Sequence, residues 1–277
     1  MLAAIGDLVE DVVVWLDGPI VRGADAPARV QRRRGGSAAN VCAFAAARGF
    51  GARFIGEVGD DPTGNHVVAE LASTGCDVRV SRSGRTGAIV VLVDDTGERS
   101  FLSDRGASTG LARVDDDALE GVAVVYVPAY SLNTEPLAST CIDAMARARG
   151  FGAKLAIGTS SVTVIDEFGV GRFRSLLERL APDVVIGNSD EAAAARLSSE
   201  PLKGMLTVVT DGSRPTRVGD LRVPVPSIGV VRDTTGAGDA FTAGFLTAWS
   251  RGVALVKAIE CGHSLSAEVL IRQGVPE

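Results

Sequence analysis

The sequence predicts an α/β fold with a mainly parallel central sheet covered on both faces and a small antiparallel sheet standing apart from it. Three observations carry this prediction. Beyond Gly110, short runs apolar at nearly every position (122–127, 155–157, 184–186 and 206–209) alternate with stretches of helical period. Strands apolar on both faces and interleaved with helices belong to a parallel sheet buried on both sides. Residues 88–93 and 99–103 flank Asp94-Asp95-Thr96-Gly97-Glu98, a hairpin signal outside that alternation. Finally, 277 residues that are 46% hydrophobic suffice for a sizeable core.

Taken in order, residues 1–5 form a short apolar strand ending at Gly6-Asp7, and 12–16 form a second, β-rich run. Asp11 sits between the two, where position alone makes it a solvated turn acid. Residues 28–34, bounded by Pro27 and Gly35, read as an exposed strand with polar residues on both faces. With 12–16 and the later hairpin they make up the small sheet. Gly35-Gly36-Ser37-Ala38-Ala39-Asn40 then opens an alanine-rich helix over 41–48, with Ser37 placed to cap it. Further helices are expected at 136–148, 173–180, 190–196, 239–251 and 255–271. Ligands of such sheets bind at the carboxyl ends of the strands, so the residues just beyond them are the candidates for function.

Composition excludes several classes. A net charge of −6 and a pI near 5.1 oppose a nucleic-acid surface, and the one basic run, Arg32-Arg33-Arg34, is too short to reverse that. Cys42, Cys76, Cys141 and Cys261 contain no Cys-x-x-Cys pair, and only His66 and His263 could join them, which argues against structural zinc. Lys154, Lys203 and Lys257 are the only lysines and none follows a glycine loop, so a Walker-type phosphate loop is absent. The N-terminus lacks a basic segment and its apolar run is broken by Gly6, Asp7, Glu10 and Asp11; no run of about 18 apolar residues follows. The expected compartment is the cytoplasm, with reduced thiols and no membrane partner.

The chain is organised around Asp233-Thr234-Thr235-Gly236-Ala237-Gly238-Asp239-Ala240-Phe241. Pro224, Pro226 and Gly229 interrupt regular structure before it, and Ala240, Phe241, Ala243, Phe245, Leu246 and Trp249 follow at helical spacing, so a loop becomes a helix at or near Asp239. Gly236 and Gly238 let successive N–H groups converge on one anion at the positive end of that helix. Two roles fit Asp239 on the residues alone: a helix cap, or a carboxylate beside a phosphate site that takes the proton of an attacking hydroxyl.

All nine positions resemble the C-terminal signature of the ribokinase-like sugar and nucleoside kinases, the phosphofructokinase B family. Gly35-Gly36-Ser37-Ala38-Ala39-Asn40, continuing as Gly56-Glu57-Val58-Gly59-Asp60-Asp61 with Gly64, resembles the family's N-terminal signature about 200 residues earlier. The resemblance implies a ribokinase-like three-layer sandwich, one domain over 1–277, with the small sheet (about 12–34 and 87–104) as a lid. It further implies that the amides of Gly236, Ala237 and Gly238 form the anion hole, that Asp239 is the base, and that Asp11, Gly35, Gly36 and Asn40 meet the sugar.

For the nucleotide, Asn188-Ser189-Asp190-Glu191 follows a strand. On the residues it reads as a capping box; it also resembles the family's Asn-x-x-Glu element, which implies Asn188 at the phosphates and Glu191 at magnesium through water. Thr210-Asp211-Gly212-Ser213-Arg214-Pro215 resembles the nucleotide loop, with Pro215 in place of the second glycine, so Thr210 and Gly212 are retained as contacts. His263 falls where relatives hold adenine, or else it is a core or solvent-facing histidine. Asp233 and Thr235 fall where relatives hold a monovalent cation such as potassium. Arg105, leaving the hairpin, is either a cleft residue that pairs with an acidic sugar or phosphate or a surface arginine.

The expected activity is ATP- and magnesium-dependent transfer of the γ-phosphate to a primary hydroxyl of a small sugar. A nucleoside kinase of the same family and a non-catalytic sugar-binding protein are the alternatives. A nicotinamide dehydrogenase fits poorly, because Phe241 stands where the dinucleotide fingerprint needs a small residue. Exposed edges of the lid strands would also allow two copies to pair.

Overall fold

A computed structural model of the chain describes residues 1–94, 96, 98–229 and 234–273, with side chains through 271. The first half runs β1 (Leu2–Ile5), β2 (Val9–Leu16), β3 (Ala28–Gly35), α1 (Ser37–Ala46), β4 (Ala52–Val58), α2 (Pro62–Ser73), β5 (Asp77–Arg82), β6 (Thr86–Val93) and β7 (Arg99–Gly106). The second half runs β8 (Val124–Pro128), α3 (Leu137–Gly150), β9 (Lys154–Gly158), α4 (Val162–Phe168), α5 (Val170–Leu180), β10 (Val184–Asn188), α6 (Ser189–Ala194), β11 (Leu206–Asp211), β12 (Arg214–Val218), β13 (Leu221–Val223), α7 (Ala237–Trp249) and α8 (Leu255–Gln273).

Among the described residues, nine strands form the large sheet in the order β13-β12-β11-β10-β9-β8-β1-β4-β5. Neighbours are parallel from β5 to β11, and β12 and β13 add an antiparallel edge. Alternate residues of one strand feed opposite cores. Leu2 and Ala4 of β1, with Val184 and Ile186 of β10, pack against α1, α2, α7 and α8. Ala3, Ile5 and Val185 pack against α3, α4, α5 and α6. The result is the three-layer α/β architecture expected from runs apolar on both faces. Phe54, Phe173 and Phe245 are among the largest fully buried side chains, and truncating one to Ala would cost about 3–5 kcal/mol.

Residues 52–82, read in the sequence only as the continuation of a signature, form β4, α2 and β5. Asp61 caps α2 by accepting from Gly64 N at 2.7 Å, and it also accepts from Thr86 N at 2.8 Å and Thr86 Oγ1 at 2.7 Å at the root of β6. Signature residues here fasten the lid to the body.

The small sheet has the order β3-β2-β6-β7. Both hairpins, β2–β3 and β6–β7, are antiparallel, while β2 and β6 meet in parallel. The reason lies in the large sheet. Chain leaves it for the lid at the ends of the parallel strands β1 and β5, so β2 and β6 set out in the same direction.

At the centre of the large sheet β1 is flanked by β4 on one side and β8 on the other. The order reverses there, which opens a crevice at the strands' carboxyl ends. No helix among the described residues is long and apolar enough to cross a membrane.

Candidate active site

The crevice is built from two helix starts. Gly36 (φ 100°) precedes α1, and a Cβ there would strike the Asp7 carbonyl, so only glycine lets the chain turn from lid into helix at this point. Gly236 (φ 75°) does the same for α7, which begins at Ala237, two residues before the start expected at Asp239. Ala237 N donates to Thr234 O at 3.2 Å. By helix geometry the amides of Gly238 and Asp239 have no carbonyl of their own helix to meet, and a Cβ on Gly238 would face open space. Behind the crevice, Gly244 and Gly262 bring α7 and α8 together: a Cβ would lie 2.6 Å from Cys261 O or 2.8 Å from the Phe241 ring.

Asp239 is not a cap. It occupies the first turn of α7, whose start makes no side-chain cap bond. Its Oδ1 accepts from Ser37 Oγ at 2.7 Å and its Oδ2 from Asn40 Nδ2 at 2.9 Å. Burial pushes the carboxyl up to about 6, against the opposing pull of Ser37, Asn40 and the charge of Arg34. The residue as a whole keeps part of its surface open. A desolvated carboxylate at a helix mouth, titrating near neutrality, is suited to proton transfer.

Asp11 lies over Gly35, where a Cβ would overlap its carboxylate. Its carboxyl is also pushed up by burial, against Arg33 and Arg34. Gly35, Gly36, Asn40, Asp11 and Asp239 thus come together at one end of the sheet. Arg105 is not a solvated surface arginine. It holds Asp7 through Nε and Nη2, both at 2.7 Å, with the two side chains 19% and 14% exposed. The ion pair joins the lid end of β7 to the carboxyl end of β1. Sequence reasoning passes over Asp7, although the rule that β1 ends at the crevice singles out the acid after Gly6. It passes over Arg99 as well: from β7 the Arg99 Nη1 donates to Thr235 Oγ1 at 2.6 Å, tying the lid to the signature loop. Asp233 lies outside the described residues.

On the nucleotide side, Asn188 forms the capping box of α6: its side chain accepts from Asp190 N and Glu191 N, each at 2.9 Å. Buried Glu191 accepts from Asn188 N at 3.0 Å and Thr159 Oγ1 at 2.5 Å through Oε2, and from Asn188 Nδ2 at 2.9 Å through Oε1. Oε2 is saturated and Oε1 keeps one lone pair, which fits acceptance from a metal-bound water. Thr210 Oγ1 donates to Gly187 O at 3.3 Å. Gly212 (φ 58°) turns a tight β11–β12 hairpin closed by a bidentate Arg214–Asp211 pair at 2.6 and 2.7 Å. Pro215 is accommodated inside β12. His263 is a correction. It is 5% exposed, its Nε2 is 2.8 Å from Thr216 Oγ1 and its ring lies 5.5 Å from Phe241, so it packs between α8, α7 and β12 instead of opening on the crevice. Burial lowers its pKa. The apolar face of α8 turns inward at that position.

A family model described as pfkB family carbohydrate kinase matches residues 1–276. The chain belongs to that family. It is 31% identical to an "ATP-dependent ribose-1-phosphate kinase" of Halopiger xanaduensis, over 95% of this chain and 90% of that one. It is 29% identical to "Fructokinase-1" of Oryza sativa subsp. japonica, over 89% and 82%. Among solved structures, adenosine kinase from Sinorhizobium meliloti superposes with a TM-score of 0.85 at 24% identity, covering 97% and 93% of the two chains, a likeness of fold. This pfkB-family chain is therefore a kinase with the ribokinase-like architecture that its two signatures implied.

Proposed function

We propose that the protein is an ATP-dependent sugar kinase acting on a primary hydroxyl, as one catalytic domain with a β-sheet lid. The observation that carries the reading is the Asp239 carboxylate, desolvated and held by Ser37 and Asn40 at the mouth of α7. The sugar hydroxyl loses its proton to Asp239 as its oxygen attacks the γ-phosphorus in line; the bond to the bridging oxygen breaks and ADP leaves. In the Gly236-Ala237-Gly238 turn, where Ala237 N is held by Thr234 O, the Gly238 amide and that of Asp239 beyond it are left to meet the charge that develops on the phosphoryl oxygens. Asp11, Gly35, Gly36 and Asn40 orient the sugar, and Asn188, Thr210 and Gly212 meet the nucleotide. Magnesium supplies charge neutralisation at the phosphates, and the free lone pair of Glu191 Oε1 would take one of its waters.

Finer parts of the reading follow from the family and the composition: potassium at Thr235 and Asp233, a cytoplasmic location, and pairing of two copies through the lid edges. A nucleoside acceptor offers the same hydroxymethyl group and remains the second reading. A coupled ADP-release screen across pentoses, hexoses, acidic ketosugars and nucleosides tests the proposal. A magnesium-dependent rate with one sugar, lost in Asp239→Asn, supports it; binding of sugars with no turnover of any would make the protein a sugar-binding member of the family.

A further inference from the structure

Arg34 enters the sequence only as part of a basic run at the end of an exposed strand, yet the structure half-buries it at the junction of β3, α1 and α2. Its Nη1 donates to Asn40 Oδ1 at 2.9 Å, and its backbone N donates to Glu70 Oε2 of α2 at 3.2 Å. Its Nε is buried without a partner. An unpaired guanidinium nitrogen is costly to bury, so the side chain is not placed here for its own stability. What it does is settle an ambiguity. The Asn40 amide can present either end to Asp239, and only its NH₂ end is useful to a carboxylate. With Oδ1 taken by Arg34, Nδ2 faces Asp239 Oδ2 at 2.9 Å.

We infer that Arg34 is a positioning residue of the phosphoryl-transfer site: it locks the Asn40 amide toward Asp239 and places a positive charge beside that pair. The inference rests on the reading of Asp239 as the base. Several groups face that carboxylate. Ser37 and Asn40 come from α1, Arg34 from β3, Asp11 from β2 and Tyr126 from β8. Among these described groups Arg34 is the cation. Arg34 in turn faces Glu70 of α2, Asp11, Asp239 and Cys76; burial lowers its pKa, and those four raise it. Glu70 competes with Asp239 for the same charge, which makes the electrostatic part of the inference testable from both sides.

The test is the acid limb of kcat/KM against pH, which reports groups of the free enzyme, measured on the parent, Arg34→Met, Arg34→Lys, Glu70→Gln and Asp239→Asn, each checked by thermal melting. Arg34→Met should move the limb up by about one pH unit and lower kcat about tenfold, the worth of one charge-assisted hydrogen bond. Arg34→Lys keeps the charge but not the fork, so the limb should stay while kcat falls. Glu70→Gln leaves more of the arginine charge to Asp239 and should move the limb down. If Arg34→Met does not fold, the Glu70→Gln limb decides alone. A folded Arg34→Met with parental limb and kcat, or a Glu70→Gln limb that stays or rises, overturns the inference. Near-parental turnover in Asp239→Asn would instead remove the base reading beneath it, a different failure with a different signature.

Discussion

Asn40 Nδ2 donates to Asp239 Oδ2 at 2.9 Å across 199 residues of sequence, joining the start of α1 to the start of α7. One signature thereby holds the acid of the other. Its two oxygens accept from Ser37 and Asn40 of α1, donors separate from the α7 amides.

Asp239→Asn should fold and still bind ATP and sugar. The new amide can turn its oxygen to Asn40 and donate its NH₂ to the Ser37 oxygen, which keeps both contacts. It cannot take a proton, so kcat should fall by about 10² to 10⁴. Steady-state rates together with calorimetric binding check this; near-parental kcat would leave Asp239 a structural link between two helices.

The Asp239 carboxyl titrates at about 6, above its value of about 4 in an unfolded chain. Activity needs the ionised form, so kcat/KM should drop below about pH 6. Stability runs the other way. The folded state binds the proton more tightly, so this group stabilises most below its unfolded pKa, and that contribution is lost as pH rises through about 6. Urea titrations from about pH 4 to 7 on the parent and Asp239→Asn should show the loss only in the parent, after other groups cancel in the difference.

Arg105→Ala leaves Asp7 half-buried without its bidentate partner. Removing one member of such a pair costs up to about 3 kcal/mol, while removing both costs less. The double variant Asp7→Asn with Arg105→Met should therefore melt above Arg105→Ala alone. Equal melting temperatures would mean that the pair contributes no coupling. For the single variant the sugar KM should also rise, because β7 is no longer anchored to the floor of the crevice.

Glu191→Gln keeps the length of the side chain but gives Asn188 an amide to face where it had a carboxylate. The magnesium concentration for half-maximal rate should increase while sugar binding is unchanged. The α6 capping box should weaken too, by about 1 kcal/mol. A shift in melting with no change in magnesium dependence would confine Glu191 to capping.

What the sequence by itself determined is local or periodic. Runs apolar on both faces require a buried parallel sheet, Gly36 and Gly236 mark the two places where the backbone must turn before a helix, and Gly-Ala-Gly-Asp before an apolar helical period announces a helix start with an acid in its first turn. Each of these depends on neighbours within a turn or a strand, where spacing is geometry. The tertiary structure decided the partners. That Arg105 would hold Asp7, that His263 would turn inward onto Phe241, that Glu191 would reach Thr159 and that Arg34 would hold Asn40 all depend on which strands lie side by side and which helix starts meet at the crevice. Sequence spacing carries no distance between elements, and a buried arginine differs from a solvated one only in what the fold places around it.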